Sequence, residues 1–365
     1  MEQARLTGWQ TFLLVLSYTL GTASIIYPGR LIASGSQDAW MIPLFAGIYG
    51  MVVVALWIYL YSLHNGLNII QINMKVFGKI IGGFFALVYI CYFIQLSSWI
   101  TRNLGDFMHI TLMPETPISM FHIMFLTIVC YASFKGIVTI GRVNEIMTPL
   151  IFLLFWATYL VMLGEWNWER FIPSFRLDVI KTMKETSSFL AFPFMETICF
   201  TMIFPFIKSK LKTSLISGIG VAALLFSLIV FLMIGLIGVT RASHLTYPLF
   251  TLFQELRLYS FIEHVEAIVS IAWLFTVFVK LSISYYCAVL GICTIFNIQN
   301  RAIIAIPLIW VVAGIALSNH SSLIDVLDWD KKYMFIYTLL YAVIIPLLLL
   351  TVTGIKGYKE RKVNS

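Results

Sequence analysis

The sequence predicts an all-α integral membrane protein with about ten transmembrane helices, two of them broken. Hydrophobic residues make up 60% of the 365 residues, only 11% are charged, and the mean hydropathy is +0.92. A soluble domain carries about 25% charged residues, so most of this protein's surface must face something other than water. No stretch has the polar balance of a soluble domain, and we expect one membrane domain over residues 1–365.

Apolar stretches of the required length recur along the chain. A helix needs about 20 mostly apolar residues to cross ~30 Å of hydrocarbon. The first stretch has no small-residue cleavage site after it, so we expect it to remain as a transmembrane helix. The predicted spans are Trp9–Gly29, Trp40–Leu63, Ile80–Ile100, Met120–Gly136, Ile140–Leu163, Ser187–Ile207, Leu215–Val239, Phe261–Phe296, Ile303–Leu317 and Tyr333–Thr353.

The net charge of +7 comes from basic residues in the connections between apolar stretches. They form no basic arm or helix face that could follow a phosphate backbone, so we predict no nucleic-acid partner. Lys and Arg are more frequent in the connections on one side, for example at Lys208, Lys210 and Lys212. Short cytoplasmic loops carry this excess in membrane proteins, and we therefore predict that both termini are cytoplasmic.

The five cysteines all fall inside apolar stretches. There is no CxxC pair and no His/Cys spacing suited to a metal, so we predict free thiols and neither metal nor cofactor. The sequence also lacks HExxH and G-x-S-x-G motifs, which argues against an intramembrane enzyme.

Two of the predicted spans are interrupted. In the first, Gly21 and Thr22 interrupt the apolar run, and in the sixth, Pro193 is followed three residues later by Glu196. Backbone freed at membrane depth is tolerated only where protein or a water-filled cavity satisfies it. A single glycine or proline can also be a simple kink, but two breaks at corresponding positions indicate a binding site between the helices.

The positions of the breaks predict an internal repeat. The two interrupted spans head the two halves of the chain, residues 9–163 and 187–353. Five spans in each half would insert the second half in the opposite sense. This arrangement is an inverted repeat, in which broken helices cross and bind substrate near the bilayer midplane.

Two charged residues lie inside apolar stretches, Glu196 and Lys280. A charge at the bilayer centre costs at least ~2.5–3.5 kcal/mol and normally faces an interior partner or a cavity. Glu196 either caps the broken sixth helix, faces the ligand, or takes part with Lys280 in a charge or proton relay. Lys280 either snorkels to the interface or is held by broken-helix carbonyls, by Glu196 or by a ligand carboxylate. Ser284 lies one turn from Lys280 on the same helix face.

Several segments together resemble the B subunit of spore germinant receptors, in the amino acid–polyamine–organocation transporter superfamily. They are Leu20-Gly21-Thr22, Tyr27-Pro28-Gly29-Arg30, Tyr92-Phe93, Thr101-Arg102, Phe192-Pro193-Phe194-Met195-Glu196, Tyr247-Pro248 and Phe261-Ile262-Glu263-His264-Val265-Glu266. The resemblance covers essentially the whole chain. Two positions depart from the family pattern: Met195 replaces a glycine, and His264 replaces an arginine.

The resemblance implies a LeuT-type fold and a receptor that also contains a membrane-anchored A subunit and a lipoprotein C subunit. It implies location in the inner membrane of a bacterial spore and recognition of a small nutrient germinant, which we expect to be an amino acid. A secondary amino acid transporter, proton-coupled through Glu196 or Lys280, is the alternative function. The ligand-binding positions expected are Gly21, Thr22, Tyr92, Leu96, Pro193, Lys280 and Ser284.

Overall fold

The structure is a computed structural model and describes residues 5–64, 66–254, 265–319 and 322–363. Helices make up nearly all of these residues. Within these residues, eight helical stretches are long and apolar enough to cross a membrane. One of them, Ala23–Leu63, contains the end of span 1, a turn at Ser36 with φ 50°, and all of span 2. These eight stretches, the first half of span 1 and the shorter helix Ala302–Ser318 together account for the ten predicted spans.

Each predicted span corresponds to one helix or to a series of shorter helical segments. The first is split into Gly8–Leu20 and Ala23–Gly35, the sixth is irregular over residues 187–206, and the tenth has a π turn at Leu340–Ile344 between Leu323–Leu339 and Ile345–Val363. The others are Ile42–Leu63, Ile69–Phe107, Ile118–Lys135, Ile137–Met162, Leu211–Ile237, Val265–Phe296 and Ala302–Ser318. The boundaries of a membrane domain over 1–365 and of repeats over 9–163 and 187–353 stay predictions.

Spans 3 and 10 begin about ten residues earlier than hydropathy predicts. Asn68 forms a capping box with Gln71 and starts span 3 at Ile69, and Gly78, with φ 82°, kinks this helix near the predicted start. A second capping box, between Ser322 and Asp325, starts span 10 at Leu323. Hydropathy detects apolar runs, whereas these two starts are set by polar caps outside them.

The earlier start of span 10 changes the position expected for three aspartates. Asp325, Asp328 and Asp330 precede the predicted tenth span and were expected in a connection, but they lie on its helix. The predicted start of span 8, and His264 with it, falls outside the described residues, which resume at Val265.

The first span breaks at the predicted place. A capping box between Thr7 and Gln10 begins its first helix, which ends at Leu20. Gly21 then leaves the helical conformation, with φ 10° and ψ −126°, and the second helix begins at Ala23. The prediction of a broken first helix is therefore confirmed.

The sixth span is also broken. After one helical turn it forms a π turn, Leu190–Phe194, and a 3₁₀ segment, Met195–Cys199. Pro193 lies in the π turn, where its missing N–H removes a helical hydrogen bond. The hydroxyl of Tyr18 lies 3.1 Å from the Glu196 carbonyl oxygen, so a side chain from span 1 satisfies backbone freed in span 6.

Small residues let the spans approach closely while large apolar side chains face outward. An added Cβ at Gly218 in span 7 would lie 2.8 Å from Val15 in span 1, and one at Gly291 in span 8 would lie 2.8 Å from Ile90 in span 3. Close backbone approach at such residues is typical of helix packing in membranes. Large outward residues, such as Ile80 and Trp310, are exposed in the absence of lipid.

This packing predicts that Gly218→Leu destabilises the protein whereas Gly314→Leu does not. Both changes place leucine on a membrane helix, but an added Cβ at Gly314 has no heavy atom within 4 Å. Overpacking costs about 1–3 kcal/mol. Thermal unfolding of the detergent-purified variants, followed by tryptophan fluorescence, should show a lower Tm for Gly218→Leu alone. Equal Tm values would contradict the predicted contact between spans 1 and 7.

Candidate functional site

A buried ion pair joins spans 6 and 8 beside the two breaks. The ammonium nitrogen of Lys280 lies 2.5 Å from Oε2 of Glu196, and the two side chains are 0% and 1% exposed. This burial rules out snorkelling by Lys280. Of the partners that the sequence suggested for Lys280, Glu196 is the one that lies against its ammonium group.

The break in span 1 accommodates the lysine side chain. Lys280 Nζ donates a hydrogen bond to the hydroxyl of Thr22 at 3.3 Å. An added Cβ at Gly21 would lie 2.6 Å from Cδ of Lys280 and 2.8 Å from the carbonyl oxygen of Tyr18. Only glycine at position 21 therefore leaves room for the lysine chain beside the unwound backbone.

Aromatic rings complete the surroundings of the ammonium. Lys280 Nζ lies 4.5 Å from the ring centroid of Phe192 and 5.4 Å from that of Tyr18. Both distances allow cation–π attraction, which is strengthened where the cation is desolvated. Phe192 and Tyr18 were not among the predicted ligand-binding residues. Their positions in the sequence could have indicated them, because Phe192 lies one turn before Glu196 and Tyr18 lies one turn before Gly21.

The hydroxyl of Tyr18 connects three spans. It lies 3.1 Å from the Glu196 carbonyl oxygen, 3.3 Å from Oγ of Ser284 and 3.4 Å from Sγ of Cys199. Ser284 itself donates to the carbonyl oxygen of Lys280 at 3.0 Å. Ser284 thus belongs to the same cluster, although it reaches the ion pair through Tyr18 and the backbone.

The other predicted positions lie around this cluster. Tyr92 and Leu96 are fully buried on span 3, and the Tyr92 ring stacks on Tyr341 of span 10 with centroids 4.3 Å apart. The Tyr92 hydroxyl has no hydrogen-bond partner among the described residues. Pro193 is buried next to Phe192 in the π turn. The structure brings Gly21, Thr22, Glu196, Lys280 and Ser284 together, and ligand binding by any of the seven positions stays a prediction.

The cluster is covered on the side of the membrane opposite the start of span 1. Tyr27 packs on Phe192 with ring centroids 5.0 Å apart, and the Arg30 guanidinium carbon lies 5.1 Å from the Tyr27 ring centroid. Arg30 also pairs with Asp330 of span 10 at 3.6 Å. Asp330, which precedes the predicted start of the tenth span at Tyr333, is thus a largely buried partner of span 1.

An apolar crevice of about 50 Å³ opens next to the break in span 1. Leu20 and Ser24, which flank the break, line it from span 1. Ala272 and Thr276 line it from span 8, and span 5 contributes Ile151 and further apolar residues. Thr276 precedes Lys280 by one helical turn, so the crevice begins about one turn of span 8 away from Lys280, and neither residue of the ion pair lines it.

A second, larger cavity of about 760 Å³ opens on the side where span 1 begins. Its lining mixes apolar residues with polar ones, which include Arg5, Asn68, Gln71 and Arg301, whereas that of the crevice is mostly apolar. Leu290 also lines it and lies ten residues after Lys280, which is roughly 15 Å along the helix. Among the described residues, no group of three or more His, Cys, Asp or Glu side chains is placed to hold a metal ion.

The chain matches the spore germination protein family over residues 5–323. It is 26% identical to spore germination protein B2 of Bacillus subtilis (strain 168), over 82% of each chain. It is 22% identical to spore germination protein KB of the same organism, over 84% of this chain and 83% of the relative. It is 21% identical to spore germination protein GerQB of Bacillus cereus, over 92% and 93%.

The fold is similar to that of solved structures with bound small molecules. MhsT in complex with L-phenylalanine superposes with a TM-score of 0.67 at 13% identity and covers 96% of this chain and 99% of its own. Mhp1, a nucleobase-cation-symport-1 family transporter in a closed conformation, superposes with a TM-score of 0.53 at 14% identity, over 97% and 94%. These similarities show a LeuT-type fold.

The family match covers most of the chain, from residue 5 to residue 323. This multi-pass membrane protein therefore belongs to the spore germination protein family, as a subunit of the germinant receptor B type.

Proposed function

We propose that this protein is the nutrient-sensing membrane subunit of a spore germination receptor and that it binds an amino acid where spans 1, 6 and 8 meet. The observation that carries the proposal is the Lys280–Glu196 ion pair, buried against both breaks. Replacing a buried ion pair by apolar residues is often neutral or stabilising, so such a pair is weak evidence for stability alone. A pair of opposite charges at a helix break instead suits recognition of a small polar solute.

The fold and the family support this proposal from two directions. MhsT, with the same fold, has been solved with an amino acid bound, and the relatives are spore germination proteins. We propose that the ligand-binding positions are Gly21, Thr22, Tyr92, Leu96, Pro193, Lys280 and Ser284.

We further propose that the protein lies in the inner membrane of the spore with both termini on the core side, and that it assembles with a membrane-anchored A subunit and a lipoprotein C subunit. The positive-inside rule supports this orientation. Lys208, Lys210 and Lys212 all follow span 6, on the side where span 1 begins.

Secondary transport of an amino acid is a second candidate function. The transporter fold and the buried Lys280–Glu196 pair, which is able to act as a charge or proton relay, favour it. Uptake of labelled amino acids by proteoliposomes that contain this protein alone separates the two candidates. Sustained accumulation would support the transporter, whereas specific binding without accumulation would support the receptor subunit.

The receptor proposal predicts that Gly21→Ala weakens the germination response without lowering the amount of protein in the membrane. The added methyl group would clash with the Lys280 side chain. A cost of about 1–3 kcal/mol corresponds to a rise of roughly 5- to 150-fold in the nutrient concentration required. Dose–response curves of spores that carry the variant, with protein levels from immunoblots, measure this effect.

Gly83→Ala is the matched control, because an added Cβ there has no heavy atom within 4 Å. A normal dose–response curve for Gly21→Ala at a normal protein level would remove Gly21 from the binding site.

The ion pair predicts non-additive effects of substitution. Lys280→Met and Glu196→Gln should each lower the level of folded protein, because each leaves one buried group without its partner, at a cost of about 3–5 kcal/mol. The double variant should recover most of this loss, as expected of residues in contact. Fluorescence-detected size-exclusion chromatography of the three variants measures folded protein.

The Lys181–Glu185 pair provides the control cycle, since its side chains are 71% and 46% exposed. Lys181→Met, Glu185→Gln and their combination should leave the protein level unchanged, because exposed pairs contribute little. Additive losses at Lys280 and Glu196 would argue that the two groups do not stabilise each other.

A further inference from the structure

The meeting point of spans 1, 6 and 8 is occupied by the protein's own side chains. The Lys280 chain passes along Gly21, and its ammonium contacts Thr22, Glu196 and the ring of Phe192. A ligand that binds here therefore has to displace Lys280 from Glu196 and separate the pair.

The charges of the ligand then decide whether separation is tolerated. A neutral ligand would leave both groups buried without a counter-charge, a cationic ligand would leave Lys280 alone, and an anionic ligand would leave Glu196 alone. An uncompensated buried charge is strongly destabilising. A zwitterion replaces the one ion pair by two, with its carboxylate on Lys280 and its ammonium on Glu196.

We propose that the ligand binds by exchanging partners with the Lys280–Glu196 pair, so that the site selects a zwitterion, and that a small aliphatic side chain of this ligand occupies the crevice beside the break. This inference rests on the proposed function, since it assumes that the nutrient binds where the two broken helices meet.

The position of the crevice supports the second half of the proposal. Leu20 and Ser24 lie on either side of the Gly21–Thr22 break, and Thr276 lies one turn from Lys280. On this proposal, the α-carbon of a zwitterion held between the two charges faces the crevice across about one helical turn. This contact is on the side of spans 5, 7 and 8.

The lining favours an aliphatic side chain. The hydroxyl of Ser24 donates to the carbonyl oxygen of Gly21 at 3.2 Å, and that of Thr276 donates to the carbonyl oxygen of Trp273 at 2.8 Å. Both hydroxyl protons are therefore already used. The lining also contains the indoles of Trp156 and Trp273, and the N–H of Trp273 has no partner among the described residues, so the side-chain donors that remain are indole N–H groups.

The size of the crevice limits the side chain. A site needs about 10–15 Å³, measured with a water-sized probe, to hold one water molecule. The crevice, at about 50 Å³ on this measure, has room for about three or four carbon atoms. A valine-sized group fits this volume, whereas an indole would require the lining residues to move.

Calorimetric titration of the full-length protein in lipid nanodiscs tests the charge requirement. The probes are L-valine, its cationic amide valinamide, its anionic analogue isovalerate, and the neutral solutes glucose and inosine. We expect L-valine to bind and both singly charged analogues to bind at least about a hundredfold more weakly, since each leaves one buried charge unpaired.

The outcomes separate this inference from the proposed function. Valinamide or isovalerate binding within about tenfold of L-valine would overturn partner exchange. Specific binding of glucose or inosine in place of L-valine would overturn the zwitterion selection and leave a nutrient-binding receptor subunit intact. The absence of binding by all five solutes would count against both.

The crevice is tested by comparing L-valine with glycine, which has no side chain. Ala272→Leu fills the crevice and should weaken L-valine binding at least about tenfold while changing glycine binding less than about threefold. Ala267→Leu, an exposed position on the same helix, is the control and should change neither. An equal effect of Ala272→Leu on both ligands would reject the crevice as the side-chain site.

A second variant tests the crevice even if the Ala272→Leu protein misfolds. Ile151→Ala enlarges the crevice from span 5 and should shift the preference from L-valine toward L-phenylalanine by about tenfold or more. If Ala272→Leu abolishes binding of both ligands, the Ile151→Ala result decides: an unchanged preference would overturn the assignment.

Discussion

The rest of the structure depends on keeping a lysine and a glutamate together inside the membrane. Neither Lys280 nor Glu196 reaches solvent, so each must be compensated by the other and by the groups around them. The two breaks provide those groups: Thr22 accepts from the ammonium, and Gly21 leaves space for the lysine chain. Irregular backbone is tolerated here because side chains such as Tyr18 bind the carbonyls that it frees. The breaks and the charges are thus mutually dependent.

The pair also lies at one end of a continuous set of contacts that leads to span 10. Phe192 touches the ammonium, Tyr27 packs on Phe192, and Arg30 joins Tyr27 to Asp330. Further along span 10, the π turn is held by two other spans, since Trp57 donates to the carbonyl oxygen of Ala342 and Tyr89 to that of Tyr341. A ligand that moved Lys280 would alter the first of these contacts directly.

The fold alone does not distinguish a receptor subunit from a transporter. Two proteins of the same architecture at 13–14% identity, MhsT and Mhp1, bind quite different ligands, L-phenylalanine and a bromovinylhydantoin. Selectivity must therefore come from the side chains at the break and from the crevice beside it. In this chain a charged pair occupies the crossing and the adjoining crevice is small and apolar, a combination that points to a zwitterion with a short side chain.

The sequence by itself determined the spans, the two breaks and the two buried charges, because hydropathy, the missing proline N–H and the cost of an intramembrane charge are all local properties of the chain. It also determined the family. Only the tertiary structure decided that Lys280 pairs with Glu196, that Tyr92 stacks on span 10 and that Asp330 reaches Arg30. Each of these contacts joins residues far apart in sequence, and depends on the depth and rotation of packed helices, which no single segment specifies. The early starts of spans 3 and 10 were missed because polar caps, not apolar runs, set them.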